Sequence, residues 1–198
     1  MPRTRNSAPS NTPARAPYTL LWGQGSFAVG LLVCFALRPQ FLKSEGGFSN
    51  YGVTAITVAP FTIAFLAAII SSWRAARLLV EPRRALANML RLLSILFAAV
   101  LVSTYPYKIN GVLDTLHQDA ALALFAFELG FGVWLTVQSR RFTNIALLCG
   151  QLAGTVAGIY TVWGNVHLLF VSQLVVGLSF GALLVVVSRQ LVTKPESA

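Results

Sequence analysis

From Phe142 to Ser188 the chain carries no Asp, Glu, Lys or Arg. A run of that length cannot be one hydrocarbon crossing, because a span needs roughly 20 apolar residues at about 1.5 Å rise each. Gly164-Asn165 breaks it into two, as a turn pair between apolar segments does. Four further apolar segments precede it, giving six expected spans: Tyr18 to Leu37, Val53 to Trp73, Ala85 to Tyr105, Ala120 to Gln138, Phe142 to Trp163 and Val166 to Ser188. Hydrophobic residues make up 56% of the 198 and charged ones 11%, leaving no room for a soluble catalytic domain. The expected fold is all-α, a polytopic transmembrane bundle of six helices.

The formal charge of +9 would point to nucleic acid in a soluble chain, but its placement points to a membrane instead. Arg3, Arg5, Arg15, Arg74, Arg77, Arg83, Arg84, Arg91, Arg140, Arg141, Arg189 and Lys194 fall on one side of the six-span layout, and only Arg38, Lys43 and Lys108 on the other. Basic residues are retained on the cytoplasmic face, so both termini are expected there, in a plasma (inner) membrane. The expected partners are membrane lipids, with anionic headgroups at the cytoplasmic face and no nucleic acid. A homo-oligomer or a second membrane protein is the other open partner class.

Residues 1–16, rich in Pro, Ser, Asn and Arg, read as a disordered cytoplasmic tail, residues 17–190 as the transmembrane domain, and 191–198 as a second tail. The first apolar segment reads as a span rather than a secretion signal. It is span-length, contains Gly23, Gly25 and Gly30, and is followed by Arg38-Pro39-Gln40 instead of small residues. Glu81-Pro82 reads as a helix start. Pro60, inside the second span, is expected to kink it, with Thr57 or Thr62 satisfying the freed carbonyl. Tyr18, Trp22, Trp73, Tyr105, Tyr107 and Trp163 mark the expected interfaces. Cys34 and Cys149 fall at opposite depths, too far apart for a disulfide.

Gly150, Gly154 and Gly158 form a small-residue stripe on the fifth span, and Gly177 and Gly181 repeat the spacing on the sixth. Such stripes let helices approach closely, so the two spans are expected to pack as a hairpin through them. Gln173 shares a face with Gly177 and Gly181. Asn144, Gln151, Ser172 and Gln173 read as interhelical hydrogen-bond partners.

Glu128 is the costliest side chain in the layout, because a carboxylate at mid-membrane depth is usually neutral, paired or facing water. The preferred reading is a neutral carboxyl bonded to a neighbouring helix, with Arg91 reaching part of the way; the alternative is a proton or cation site. On the outer side lie Asp114, His117, Asp119 and His167. Their spacing matches no metal pattern, and His117 with Asp114 and Asp119 reads as a solvated cluster capping the fourth span. No metal or other cofactor is expected. Gly177-Leu178-Ser179-Phe180-Gly181 fits the nucleophile-elbow formula, but Ser179 falls within a helix with no base in reach. No catalytic residue is assigned.

Leu116-His117 opening the fourth span, with the run Ala120-Ala121-Leu122-Ala123-Leu124-Phe125-Ala126-Phe127 and six spans with basic inner loops, resembles the small membrane proteins of the domain-of-unknown-function nine-nine-eight family. The layout is more distantly similar to the Frag/DRAM/Sfk group. Phe48-Ser49-Asn50-Tyr51-Gly52 also looks like a signature of small bacterial membrane proteins. The resemblance implies a fold and a membrane location rather than an activity. The functional expectation is a non-enzymatic bundle binding lipid, a small apolar molecule or a partner membrane protein. The alternative is a proton-coupled or small-solute transporter using Glu128 with a helix broken at Pro60, and a metal-dependent membrane hydrolase is third.

Overall fold

The structure, a computed structural model, describes residues 13–43, 46–79, 83–163 and 168–193. Every regular element among them is helical: α1 (Ala16–Leu37), α2 (Ser49–Gly52), α3 (Val58–Leu78), α4 (Arg84–Thr104), α5 (Gly111–Ser139), α6 (Phe142–Trp163) and α7 (Leu169–Thr193). Short 3-10 turns cover Pro13–Arg15 and Pro39–Lys43. All but α2 are long and apolar enough to cross a membrane, so the protein is an all-α, six-span membrane bundle.

Local chemistry moves several helix edges away from the hydropathy boundaries. Asn110, in extended conformation, accepts from the Leu113 N–H at 3.0 Å, and this cap starts α5 at Gly111, nine residues before Ala120. Residues 53–57 form a turn, held where the Thr57 hydroxyl donates to the Tyr51 carbonyl at 2.8 Å, so α3 starts at Val58 instead of Val53. Pro60 is then the third residue of α3. A first-turn residue has no intrahelical acceptor for its N–H, so proline costs no bond there and the expected mid-span kink is not needed. At the chain ends, Ala16 is already buried in α1 and α7 runs on to Thr193. Residues 1–12 and 194–198 of the expected tails, the Glu81-Pro82 start and the Gly164-Asn165 turn lie outside the described residues.

Helix α1 packs on α3 and α7, α4 packs on α3 and α5, and α5 meets α7, which closes a ring of five. Helix α6 lies outside the ring, mainly against α7. At the ring's centre Phe27, Phe65 and Phe97 meet edge to face, with centroids 5.3, 5.6 and 5.8 Å apart. The tightest seam joins α1 to α3: a Cβ on Gly23 would overlap the Ser71 side chain, and one on Gly30 would lie 2.6 Å from Ala64 Cβ.

One end of the ring is strongly basic. The Arg189 guanidinium lies 5.4 Å from the Tyr18 ring centroid, and Arg83 donates to the Leu191 carbonyl at 2.9 Å. These contacts bring the starts of α1 and α4 to the end of α7. The Asn144 amide donates to Ser139 Oγ at 2.5 Å and Gln190 Oε1 at 3.1 Å, adding the end of α5 and the start of α6. Arg38 and Lys108 belong to the opposite end, which α2 occupies.

Candidate functional site

Helix α5 turns one stripe toward the ring axis: His117, Ala121, Leu124 and Glu128, at the spacing that repeats along a helix face. Glu128 is 6% exposed and His117 4%, separated by about 17 Å of helical rise.

His117 is held between two hydroxyls, Ser49 Oγ at 2.6 Å from Nε2 and Ser103 Oγ at 3.1 Å from Nδ1. It therefore ties α2 to α4 and α5 from inside the fold and is no solvated cap. The capping falls to Asn110. Asp114 accepts from Gln118 Nε2 at 3.2 Å near the surface, and Asp119 is exposed. His167 lies outside the described residues, among which no three His, Cys, Asp or Glu side chains are grouped closely enough to hold a metal.

The α2 segment closes the non-basic end of the ring and is anchored from several sides. Tyr51 is fully buried, its ring 5.3 Å from Phe41 and 5.5 Å from Phe170. Burial, with a smaller contribution from nearby Cys34, pushes the Tyr51 phenol up to about 12, so it stays neutral. Asn50 Oδ1 accepts from Tyr107 Oη at 2.8 Å and Lys108 Nζ at 2.7 Å. Gly47 has φ +52°, and Gln173 Oε1 accepts the Phe48 N–H at 2.8 Å. A Cβ at Gly47 would be strained by that φ and would push against the Gln173 amide, so glycine is favoured here.

Beneath α2 lies a cavity of about 80 Å³ on the ring axis. Its walls include the rings of Phe27, Phe48, Phe61, Phe65, Phe97 and Phe125, and its polar groups are Glu128, Ser49 and Gln173. Glu128 forms no hydrogen bond or ion pair among the described residues. Arg91 does not reach it: the guanidinium contacts Asn88 Oδ1 at 3.4 Å on the exposed side of α4.

A second, larger space of about 340 Å³ is an almost wholly apolar groove between α1 and α7. Gly177 and Gly181 form part of its floor. They do not belong to the α6–α7 seam expected for them: Gly177 approaches Phe27, and a Cβ on Gly181 would lie 2.9 Å from Gln24 Oε1. Gln173 shares this α1-facing stripe. Gly150, Gly154 and Gly158 do lie against α7, near Ser179, Val176 and Ser172 respectively. Gln24 is 9% exposed and its amide nitrogen has no hydrogen-bond partner among the described residues. The groove and the cavity share Phe27, Phe48, Gln173 and Gly177, so a few side chains separate them.

Gln151 is fully buried against Gly132 of α5, with neither amide atom paired among the described residues, away from both spaces. Ser179 sits in the α6–α7 seam against Gly150. Cys34 and Cys149 are free, the first buried and the second exposed. The reading from residues alone gave Ser49 no role beyond its place in a signature, and it missed Gln24 and the phenylalanine walls. Phe61 and Phe65, four apart, carry the same signal as any apolar core face.

No family model, curated protein or solved structure matches the chain.

Proposed function

We propose that this protein binds a lipid-like molecule inside the bilayer, without covalent chemistry, and admits it sideways through the groove between α1 and α7. The observation that carries this reading is the groove itself: about 340 Å³ of apolar space, with the unpartnered Gln24 nitrogen beside it. A buried donor without an acceptor is costly. A turn of the Gln24 amide toward the groove it lines would bring this donor to an ester, ether or hydroxyl oxygen on a ligand, while the apolar remainder lies along the groove. Orientation is part of the proposal: the basic end faces the cytoplasm and its anionic headgroups. The resemblance to the domain-of-unknown-function nine-nine-eight family is kept on the same footing, as a location without an activity.

Gly177→Leu tests the reading. The nearest atom to a Cβ there is Phe27 Cε1 at 3.8 Å, so a side chain enters the groove without striking backbone. A photoactivatable lipid should label Leu21, Ala28 and Leu174 in the wild-type protein and lose that labelling in the variant. Labelling that is unchanged by Gly177→Leu would refute entry at this groove.

The carrier alternative draws support from Glu128 at the ring axis. It has no broken helix at Pro60 to draw on, since Pro60 falls in the first turn of α3.

A further inference from the structure

The chemistry around Glu128 narrows the class of ligand. Glu128 is 6% exposed, lines the axial cavity, and its carboxyl has no protein partner among the described residues. Buried acidic groups are ordinarily paired or hydrogen-bonded, and one within a membrane span marks a binding pathway by default. No described residue supplies the partner, and the walls suit only some candidates.

A hard metal cation is poorly served. Such ions take six or more oxygen ligands, or keep several waters. The cavity offers the Glu128 carboxyl, the Ser49 hydroxyl and a Gln173 oxygen already engaged by the Phe48 N–H. The rest of the wall is aromatic. Phenylalanine faces attract a cation that keeps few waters, which is the behaviour of an alkylammonium group. Size agrees: about 80 Å³ is two or three waters' worth at roughly 30 Å³ each, room for an ammonium bearing one or two small substituents but not for a whole amphiphile. The body of such a molecule has its place next door, since the apolar groove shares Phe27, Phe48, Gln173 and Gly177 with the cavity.

We infer that the ligand is an amine-headed amphiphile, its protonated amine paired with Glu128 inside the phenylalanine-walled cavity and its chain lying in the α1–α7 groove. Ser49, a further polar group of the cavity wall, ties the cavity to His117 and the α2 closure. This inference rests on the groove reading proposed above and adds the headgroup.

Two matched photoactivatable probes test it on the full chain in a non-ionic detergent: a diazirine-bearing long-chain primary amine and the corresponding alcohol. In the wild-type protein the amine should label groove residues at a half-saturating concentration about tenfold lower than the alcohol, the factor that an ion pair and ring contacts together worth about 1.4 kcal/mol would give. Glu128→Gln should bring the two probes level while leaving alcohol labelling in place. Phe125→Leu, which removes a half-buried wall ring, should reduce the amine advantage severalfold. Equal labelling by the two probes in the wild type, or an amine advantage that survives Glu128→Gln, overturns the amine site and leaves the groove reading standing. Absence of groove labelling by both probes overturns both. If Glu128→Gln does not fold, the wild-type comparison and Phe125→Leu decide the matter.

Discussion

Gly23→Ala isolates the closest helix contact in the protein. The added methyl would overlap both Cβ and Oγ of Ser71 and stand 3.0 Å from the Ala67 carbonyl oxygen. Rotating Ser71 moves only Oγ, and would break its bond to the Ala68 carbonyl at 3.1 Å, worth about 1 kcal/mol. Ser71 Cβ is fixed by the backbone, so α1 and α3 must also separate, and overpacking of this kind costs about 1–3 kcal/mol. Against this stands a helix-propensity gain of up to about 1 kcal/mol for Gly→Ala. The expected net is a loss of about 1–3 kcal/mol. Gly25→Ala, two residues along the same helix, meets nothing within 4 Å and keeps only the propensity gain. Fluorescence-detected size exclusion after heating, in one detergent, should therefore rank Gly25→Ala at or above wild type and Gly23→Ala several degrees below it. Adding Ser71→Gly to Gly23→Ala removes the overlapped Cβ and should restore part of the loss, the Ala67 carbonyl still being close. Equal midpoints for Gly23→Ala and wild type, or a double variant no better than the single, would show that α1 and α3 do not close at this point.

His117→Ala should lower the apparent melting midpoint by the equivalent of about 1–3 kcal/mol, because it leaves Ser49 and Ser103 facing a lost partner in the interior; an unchanged midpoint would mean that α2 is not anchored there. Glu128→Leu should fold with near wild-type stability, since no group in the described protein depends on that carboxyl. Strong destabilisation, read by the same heating assay, would reveal a partner. Arg91→Gln should move the midpoint by less than about 0.5 kcal/mol, the guanidinium's hydrogen bond among the described residues being to exposed Asn88. Cysteine labelling at Arg84→Cys and Lys108→Cys in intact cells should reach only the second, and the reverse pattern would invert the proposed orientation.

The six-helix architecture was legible from residues alone because the bilayer imposes a strong local rule: each crossing must carry its own apolar length and satisfy its own backbone, whatever its neighbours do. Glu128 stood out for the same reason, a charge being expensive wherever it lies in hydrocarbon. Helix edges followed weaker local cues. Asn110 capping α5 was readable in principle, whereas the turn at residues 53–57 depends on Thr57 bonding back to Tyr51 in a buried segment. Partner choice was not local at all. Gly150, Gly154 and Gly158 line α7, while Gly177 and Gly181 turn to α1, because a glycine stripe states that a helix can approach closely and not which one. His117 looked like a surface cap until α2, distant in sequence, folded over it with Ser49. The cavity beneath it takes its walls from five helices and the α2 segment, so its aromatic character and unpaired carboxyl exist only once the ring has closed. Sequence periodicity determined which residues are apolar and helical; long-range packing decided which of them enclose Glu128, since enclosure is a property of several chain segments meeting at one place.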